Sequence, residues 1–252
     1  MIIDIDFDRQ PISMSRTETV TIAGKPLGLD PLFSMKKGDA AYHAVRRLIL
    51  LGHIRPMEML LEQRIAEQLN CSQGTVREAF LRLEQDGLVA RRGYRGTTVS
   101  DTSVEEAAVM VSIRVQIECA GIRRAVPSLS ADALRDLYAL TDEMEQTTEA
   151  ADFYRGSELD RRFHMLLFQQ SNLASLEPIL NRCALQVHRF TYRNAEDEPP
   201  DPDFAAKHRA LLAVFEQRDP EQAADAITAH IKQVIDRWAP DLKWEQIGRA
   251  HV

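Results

Sequence analysis

The sequence predicts a mainly α-helical protein with two folded domains, a winged helix-turn-helix followed by an all-helical antiparallel bundle. Three observations predict this class. Residues 62–99 have the pattern of a helix, a tight turn, a second helix and a short β-hairpin with a basic tip. From residue 103 onwards, apolar residues recur at helical spacing almost to the end of the chain. A chain of 252 residues, 44% of them hydrophobic, is long enough to bury two cores.

The first helix of the helix-turn-helix places Leu61, Ile65 and Leu69 at helical spacing. Asn70 follows, and asparagine tolerates the left-handed backbone dihedrals that end a helix. Ser72 then supplies a side-chain oxygen that can cap the next helix. The sequence therefore predicts a tight turn between Asn70 and Ser72.

The second helix is predicted to bury an apolar stripe and to expose a polar face. The stripe consists of Val76, Phe80 and Leu83. The polar residues of its first turns are Ser72, Gln73, Thr75 and Arg77. In helix-turn-helix proteins this part of the second helix meets base edges in the major groove. Arg77 is predicted to bind guanine O6 and N7 together, which discriminates between bases by about 1 to 3 kcal/mol.

Gly87 is predicted to end this helix, and a glycine-bearing hairpin follows up to residue 99. Its tip carries three cations that suit phosphate or minor-groove contact, Arg91, Arg92 and Arg95. The alternative is an inert helix pair in which Glu78 and Arg82 form an exposed i,i+4 pair.

The distribution of charge favours DNA binding over an inert fold. Residues 35–100 contain 11 Lys and Arg against 7 Asp and Glu, whereas residues 101–252 contain 17 against 26. The formal net charge of the whole chain is −7. A basic island in an acidic protein indicates local DNA binding rather than general adhesion to polyanions.

The chain is divided into an N-terminal arm at residues 1–34, the winged helix-turn-helix at 35–100 and the helical domain at 101–252. The arm contains only short alternating runs, so it is expected either to be disordered or to add a small strand. Ser103 and Glu106 form a capping box that starts the helical domain. Further helices are predicted from Ser130 and over about residues 155–170, 173–194, 203–217 and 220–238, the last one capped by Asp219-Pro220.

Composition also predicts the compartment in which the protein functions. The three cysteines are too few and too scattered for a disulfide framework or a cysteine-based zinc site, which predicts a reducing, cytoplasmic environment. No stretch reaches the roughly 18 to 20 apolar residues of a membrane span. The N-terminal segment MIIDIDFDRQ is acidic where a secretory signal would be basic.

Four residues of the helical domain have a pattern that suits a metal ion. Asp160 and His164 are i and i+4, so they project from one face of a helix. His208 and His230 lie on two other predicted helices. Three imidazoles and a carboxylate suit zinc, nickel or a related divalent ion. From spacing alone, packed or surface histidines are the alternative, and His188 is assigned to that group.

Residues 40–99 resemble the DNA-binding domain of the GntR family of bacterial transcription regulators. The matching motifs are LILLGHIRP, LLEQRIAEQL, SQGTVREAFLRLEQDGLV and RGYRGTTV. Two positions depart from the family pattern: Met57 stands where members usually have glycine, and Gln73-Gly74-Thr75 stands where many have Arg-Thr-Pro. The second departure removes a cation from the recognition helix, so the base preference of other members does not carry over.

The helical domain, over about residues 102–238, resembles the FCD effector domain of the FadR-like subfamily. The resemblance implies that Asp160, His164, His208 and His230 hold a divalent metal ion, zinc in the first place, with nickel and manganese as alternatives. It also implies that a carboxylate-bearing metabolite completes the coordination. Members that bind acyl-CoA lack this quartet, which argues against a fatty-acyl ligand.

Two further positions resemble effector contacts of that subfamily. Arg114 and Glu118 match its Arg-x-x-x-Glu, whose arginine faces the effector pocket, and a guanidinium binds a carboxylate in bidentate geometry. The alternative is an ordinary exposed salt bridge worth about 0.3 to 0.5 kcal/mol. Asn172 is predicted either as an effector contact or as the turn residue between two helices. The composition of its segment, QQSNLASL, favours the turn.

The residues and the resemblance together predict a homodimeric, metabolite-responsive transcriptional repressor that binds a two-fold operator in double-stranded DNA. A small organic acid bound to the metal and to Arg114 would shift the helical domains and so change the spacing or the freedom of the two DNA-binding domains. Two alternatives are a metal-dependent hydrolase or lyase and a DNA-binding protein whose metal is purely structural. No HExxH motif is present, so we expect neither catalytic residues nor enzyme activity.

Overall fold

The structure is a computed structural model that describes residues 21–22, 25–26, 37–91, 93, 96–195, 201–240 and 242. The chain divides into two compact units, Met1–Asp101 and Thr102–Val252. The described residues are mainly helical, with two small antiparallel sheets in the first unit, and this confirms the predicted fold class. None of the helices within these ranges combines the length and the apolar character that a membrane span needs.

The described part of the first unit contains three helices and two small sheets. The helices are α1 (Lys37–Leu50), α2 (Glu62–Gln68) and α3 (Gln73–Gln85). The strands are β1 (Thr21–Ile22), β2 (Lys25–Pro26), β3 (Met59–Leu60), β4 (Val89–Arg91) and β5 (Thr97–Val99). Strand β1 pairs with β2, whereas β5 lies between β3 and β4. The β4–β5 hairpin is the predicted wing, and strand β3 is an addition that the sequence did not predict.

The helix-turn-helix has the predicted local chemistry. The backbone φ angle of Asn70 is 48°, in the left-handed region. Oγ of Ser72 accepts a hydrogen bond from the backbone N–H of Thr75 at 3.1 Å, which caps α3. Gly87, with φ 74°, follows the end of α3. Leu61 departs from the expectation, because it lies before α2 and is 46% exposed.

Helix α3 packs its buried stripe against α1 and α2. Val76, Phe80 and Leu83 are completely buried, as predicted. The alternative interpretation paired Arg82 with Glu78. In the structure, Nη1 of Arg82 lies 2.5 Å from Oδ1 of Asp39 on α1. The same guanidinium lies over the ring of Tyr42, 4.0 Å from its centroid. These contacts tie the last turn of the recognition helix to α1.

Six α-helices make up most of the described residues of the second unit. They are α4 (Val104–Ala125), α5 (Ala131–Glu149), α6 (Phe153–Gln169), α7 (Glu177–Ala195), α8 (Phe204–Phe215) and α9 (Pro220–Trp238). Both oxygens of the predicted Ser103–Glu106 capping box make their hydrogen bonds. Ser130 and Asp219 cap α5 and α9, as predicted. Side-chain capping therefore fixes where these helices begin.

Helix α4 is the centre of the second unit, since it packs against α6, α7 and α9. Gly121 permits its close approach to α6. A Cβ atom at this position would lie 2.4 Å from Cδ2 of Phe168. The apolar core is built from the inward faces of these helices and includes Val111, Phe163 and Phe215. The polar side chains of the site described next are embedded in this core.

Candidate functional site

The predicted DNA-reading residues lie at the exposed N-terminal end of α3. Gln73 is exposed, Thr75 is half-buried, and the side chain of Arg77 is 56% exposed. The guanidinium of Arg77 is held by Glu62 on α2, with Nη2 2.7 Å and Nε 3.2 Å from Oε2. Sequence reasoning missed this partner, because it lies on the preceding helix. The ion pair therefore links the start of α3 to the start of α2.

The wing supplies one described cation. Arg91 is half-buried, its backbone N–H donates to Oε1 of Glu84 at 3.2 Å, and its Nη1 lies 4.0 Å from Oε2 of the same residue. Arg92 and Arg95, the other two predicted contacts of the wing, lie outside the described residues.

In the second unit, the four predicted metal ligands converge. Asp160 and His164 come from α6, His208 from α8 and His230 from α9. One ligand atom of each lies within 4.8 Å of the corresponding atoms of the others, and all four side chains are buried. Three helices separated along the chain thus bring one carboxylate and three imidazoles to one point.

The hydrogen bond made by Nδ1 of His208 leaves its Nε2 atom facing the quartet. Nδ1 of His208 donates to the carbonyl oxygen of Phe204 at 2.9 Å. A neutral His208 therefore carries no proton on Nε2, which lies 3.0 Å from Oδ1 of Asp160. Two electron pairs facing each other at this distance require a proton or a metal cation between them.

Two orphaned nitrogen atoms support the same conclusion. Nε2 of His164 and Nε2 of His230 are buried and have no hydrogen-bond partner among the described residues. Buried polar atoms normally have a partner. Nitrogen atoms that face a common centre without one suit a tetrahedral or octahedral divalent ion. The residues present therefore fit the group that the sequence predicts.

A buried ion pair on α4 supports the quartet. Nδ1 of His164 lies 2.5 Å from Oε2 of Glu118, and Oε1 of Glu118 accepts from Nε of Arg114 at 2.6 Å. The side chains of Arg114 and Glu118 are both only 3% exposed, so the pair is not the exposed salt bridge of the alternative interpretation. A carboxylate behind a metal-binding histidine fixes its tautomer and orientation.

The pKa values of the site reflect this crowding. Burial opposes the charged form of His164, but the carboxylates of Glu118 and Asp160 outweigh it and raise the pKa of His164 to about 9. Burial likewise opposes the Asp160 carboxylate, but the neighbouring imidazoles hold the pKa of Asp160 well below its usual value. Burial and the nearby His208 and His164 keep the pKa of His230 well below its usual value. His230 is therefore neutral near pH 7.

His188 lies beside the quartet, a position that sequence reasoning missed. It lies on α7 and is buried, and its Nε2 atom lies 3.4 Å from Oδ2 of Asp160. Burial lowers the pKa of His188. A local signal existed, since His188 follows the buried residues Ala184 and Leu185 at helical spacing. Its proximity to Asp160 arises only from the packing of α7 on α6.

A pocket opens onto this cluster. It encloses about 890 Å³, including the part open to solvent. Its buried lining includes Asp160, His188, His208 and His230, and its more exposed lining includes Lys207 and Arg237. Arg114 is not among the described residues that line it. The pocket therefore reaches three of the four quartet residues directly.

Asn172 occupies the turn of the alternative interpretation. It is exposed, follows the end of α6, and has a φ angle of 58°. Among the described residues, it is not part of the lining of the pocket. An effector contact by Asn172 or directly by Arg114 stays a prediction.

Comparison with protein families gives two matches that do not overlap. The family of bacterial regulatory proteins named gntR matches residues 37–99. The FCD domain matches residues 109–233. These ranges contain the helix-turn-helix with its wing and the complete quartet, respectively.

Relatives named as transcriptional repressors are similar over most of the chain. One is the HTH-type transcriptional repressor RspR of Escherichia coli strain K12, 28% identical over 201 residues, which are 77% of this chain and 86% of that protein. Another carries the name "Probable D-xylose utilization operon transcriptional repressor" in Paenarthrobacter nicotinovorans. It is 30% identical over 185 residues, covering 73% of this chain and 78% of that protein.

Solved structures share the fold. McbR/YncC of E. coli superposes with a TM-score of 0.71 at 20% identity, over 83% of this chain and all of that chain. A GntR regulator from Rhodococcus sp. RHA1 superposes with a TM-score of 0.62 at 22% identity, over 80% of this chain and 99% of that chain.

Proposed function

We propose a more specific function on the basis of one established fact: the chain belongs to the GntR family and is therefore a DNA-binding transcriptional regulator and not an enzyme. The proposed function is that of a homodimeric repressor controlled by a carboxylate-bearing metabolite. The metabolite would bind at a divalent metal ion held by Asp160, His164, His208 and His230. The observation that carries this proposal is the convergence of four buried ligand atoms at the inner end of an open pocket.

The DNA-binding step is assigned to α3 and the wing. Gln73, Thr75 and Arg77 stand at the exposed start of α3, where a recognition helix meets base edges. The unit that carries them contains the basic island of the chain. Arg77 is the base-reading residue of this proposal, and the arginines of the wing supply phosphate contacts.

The metal site is assigned to the quartet, with Glu118 as the support of His164. A bound divalent ion would act as a Lewis acid that holds a carboxylate. The donor set of three imidazoles and one carboxylate suits zinc, with nickel and manganese as alternatives. His208 and His164 each have Nδ1 occupied by an acceptor, so both present Nε2 to the ion.

The pocket gives the metabolite its route to the ion. Lys207 and Arg237 line its more exposed part. Nζ of Lys207 is paired with Oδ2 of Asp201 at 2.6 Å, and Arg237 is the cation that we assign to an organic acid. Binding shifts an equilibrium only through a difference in affinity between two arrangements, and such coupling typically amounts to about 1 to 3 kcal/mol. The pocket is lined by residues of α5, α6, α7, α8 and α9, so an occupant contacts five helices of the bundle.

A second copy of the chain is the expected partner of α4. Val109 and Ile113 are 50% and 37% exposed, one helical turn apart on the same face. Exposed apolar faces of this kind mark interaction sites. A two-fold dimer would present two recognition helices to half-sites one helical turn of DNA apart. Ile113→Glu should then yield monomers in analytical ultracentrifugation, whereas an unchanged dimer would contradict this interface.

The test of the sensor is a thermal-shift screen of zinc-loaded protein against sugar acids, hydroxy acids and dicarboxylates, repeated after chelation. A ligand at 100 times its Kd adds about 2.7 kcal/mol of stability. We expect a hit that requires metal and that weakens operator binding in a gel shift. His164→Ala should abolish this response while operator binding persists. A chelator-sensitive melting temperature with no response to any acid would favour the purely structural metal.

A further inference from the structure

The two carboxylate oxygens of Asp160 face different partners. Oδ1 lies 3.0 Å from Nε2 of His208 and 3.6 Å from Nε2 of His164, which are both quartet residues. Oδ2 lies 3.4 Å from Nε2 of His188 and 4.0 Å from Nη2 of Arg114, which are not. One oxygen of Asp160 thus faces the quartet, and the other faces two additional side chains.

His188 reaches this position from α7, whereas the quartet comes from α6, α8 and α9. Its side chain is 5% exposed. Because a carboxylate only accepts hydrogen bonds, the imidazole must donate Nε2–H to Oδ2. A nitrogen atom that carries this proton has no lone pair for a metal ion. His188 is therefore suited to hold Asp160 and not to join the quartet as a fifth ligand.

We propose that His188 is a positioning residue of the metal centre, which holds Oδ2 of Asp160 and so presents Oδ1 alone to a divalent ion. This inference rests on the proposed metal site. It also explains why a buried, polar histidine lies in the lining of the pocket. An ion that takes one oxygen from Asp160 retains more open positions for the carboxylate of a metabolite than an ion that takes both.

A double-mutant cycle on the full-length protein tests whether His188 acts through Asp160. The affinity for Co(II) is measured by competition with a chelating dye for the wild type, His188→Leu, Asp160→Ala and the double variant. Loss of a residue that orients a metal ligand commonly weakens metal binding by about 10- to 100-fold. We expect about 10-fold from His188→Leu in the wild type. In the Asp160→Ala background, we expect less than about 3-fold, because the group that His188 positions is absent.

Two further variants separate positioning from a general packing effect. His188→Gln retains an N–H group that can donate to Oδ2 of Asp160. It should therefore keep the Co(II) affinity within about 3-fold of the wild type. His53→Leu replaces an exposed histidine of the first unit and should change nothing. Circular dichroism and the melting temperature of each chelated variant verify that the fold is retained.

Three outcomes would overturn the proposal. An unchanged Co(II) affinity of His188→Leu would deny His188 any role. An equal loss in the wild type and in the Asp160→Ala background would make His188 an independent ligand or a packing residue. If the wild type bound no Co(II), the proposed metal site itself would fail, which the first two outcomes leave intact.

Discussion

Nδ1 of His164 and Oε2 of Glu118 lie 2.5 Å apart in the interior of the second unit, between α6 and α4. Glu118 is in turn bound to Arg114, so an arginine, a carboxylate and an imidazole form a continuous buried chain that ends at the quartet. Arg114 and Glu118 thus support the quartet without belonging to it. They are residues whose replacement should alter metal binding without removing a proposed ligand.

We expect Glu118→Gln to weaken zinc binding by about 10- to 100-fold, because the amide no longer holds the charge and tautomer of His164. The affinity is measured by titration against a zinc-chelating dye. Glu105→Gln changes an exposed glutamate in the first turn of the same helix and serves as the control. Equal affinities of the two variants would refute the supporting role of Glu118.

The stability of chelated protein should depend on pH through His164. An unfolded histidine has a pKa of about 6.5, whereas folding raises the pKa of His164 to about 9. A raised folded pKa adds stability that is fully present below the unfolded pKa and is lost as the pH rises through the folded one. The melting temperature of chelated protein should therefore fall between pH 6.5 and 9.

Zinc should reverse this trend, because metal binding must displace the proton of His164 and the affinity therefore rises with pH. Glu118→Gln removes the main charge that raises the pKa and should flatten the profile of the chelated protein. A profile identical to that of the wild type would show that another group titrates.

Met57→Gly should stabilise the first unit. Met57 has a φ angle of 64° and is 53% exposed, so its side chain contributes little packing against an unfavourable backbone. The left-handed conformation costs a residue with a Cβ about 1 to 2 kcal/mol, and the added freedom of unfolded glycine offsets about 0.4 to 1 kcal/mol. We expect a net gain of about 0.5 kcal/mol by these estimates, measured by urea denaturation. Met57→Ala retains the Cβ and should show no gain.

Arg77→Ala should weaken specific DNA binding by about 10- to 100-fold, since a bidentate contact with guanine is worth about 1 to 3 kcal/mol. Gel shifts at fixed salt would use a site selected by the wild type from random DNA. The folded state should be unaffected, because the side chain is 56% exposed. Arg135→Ala removes an exposed, ion-paired cation from the second unit and should retain wild-type affinity.

The sequence was sufficient to predict the features that depend on residues close together along the chain. Ser72 and Ser103 cap helices because their hydroxyl groups reach backbone N–H groups three residues on. Asp160 and His164 share a helix face through i,i+4 spacing. The addition of His208 and His230 to them depended on the family resemblance, because spacing along the chain does not reveal which helices pack together.

The features that the sequence did not predict are all products of packing between distant segments. Strand β3 is two residues long and exists because Met59 and Leu60 pair with β5 far along the chain. The burial of Glu118 and the approach of His188 to Asp160 likewise depend on how α4 and α7 pack against α6. No periodicity within one helix distinguishes such a polar residue from an ordinary solvated one.

The quartet extends along the chain from residue 160 on α6 to residue 230 on α9, the last described helix of the second unit. A metal ion held there would act as a reversible crosslink between three helices of that unit, comparable to a disulfide that closes a long loop. The first unit contains none of these ligands. A change in the supply of metal in the cell would therefore alter the folding equilibrium of the second unit, which contributes every residue of the quartet.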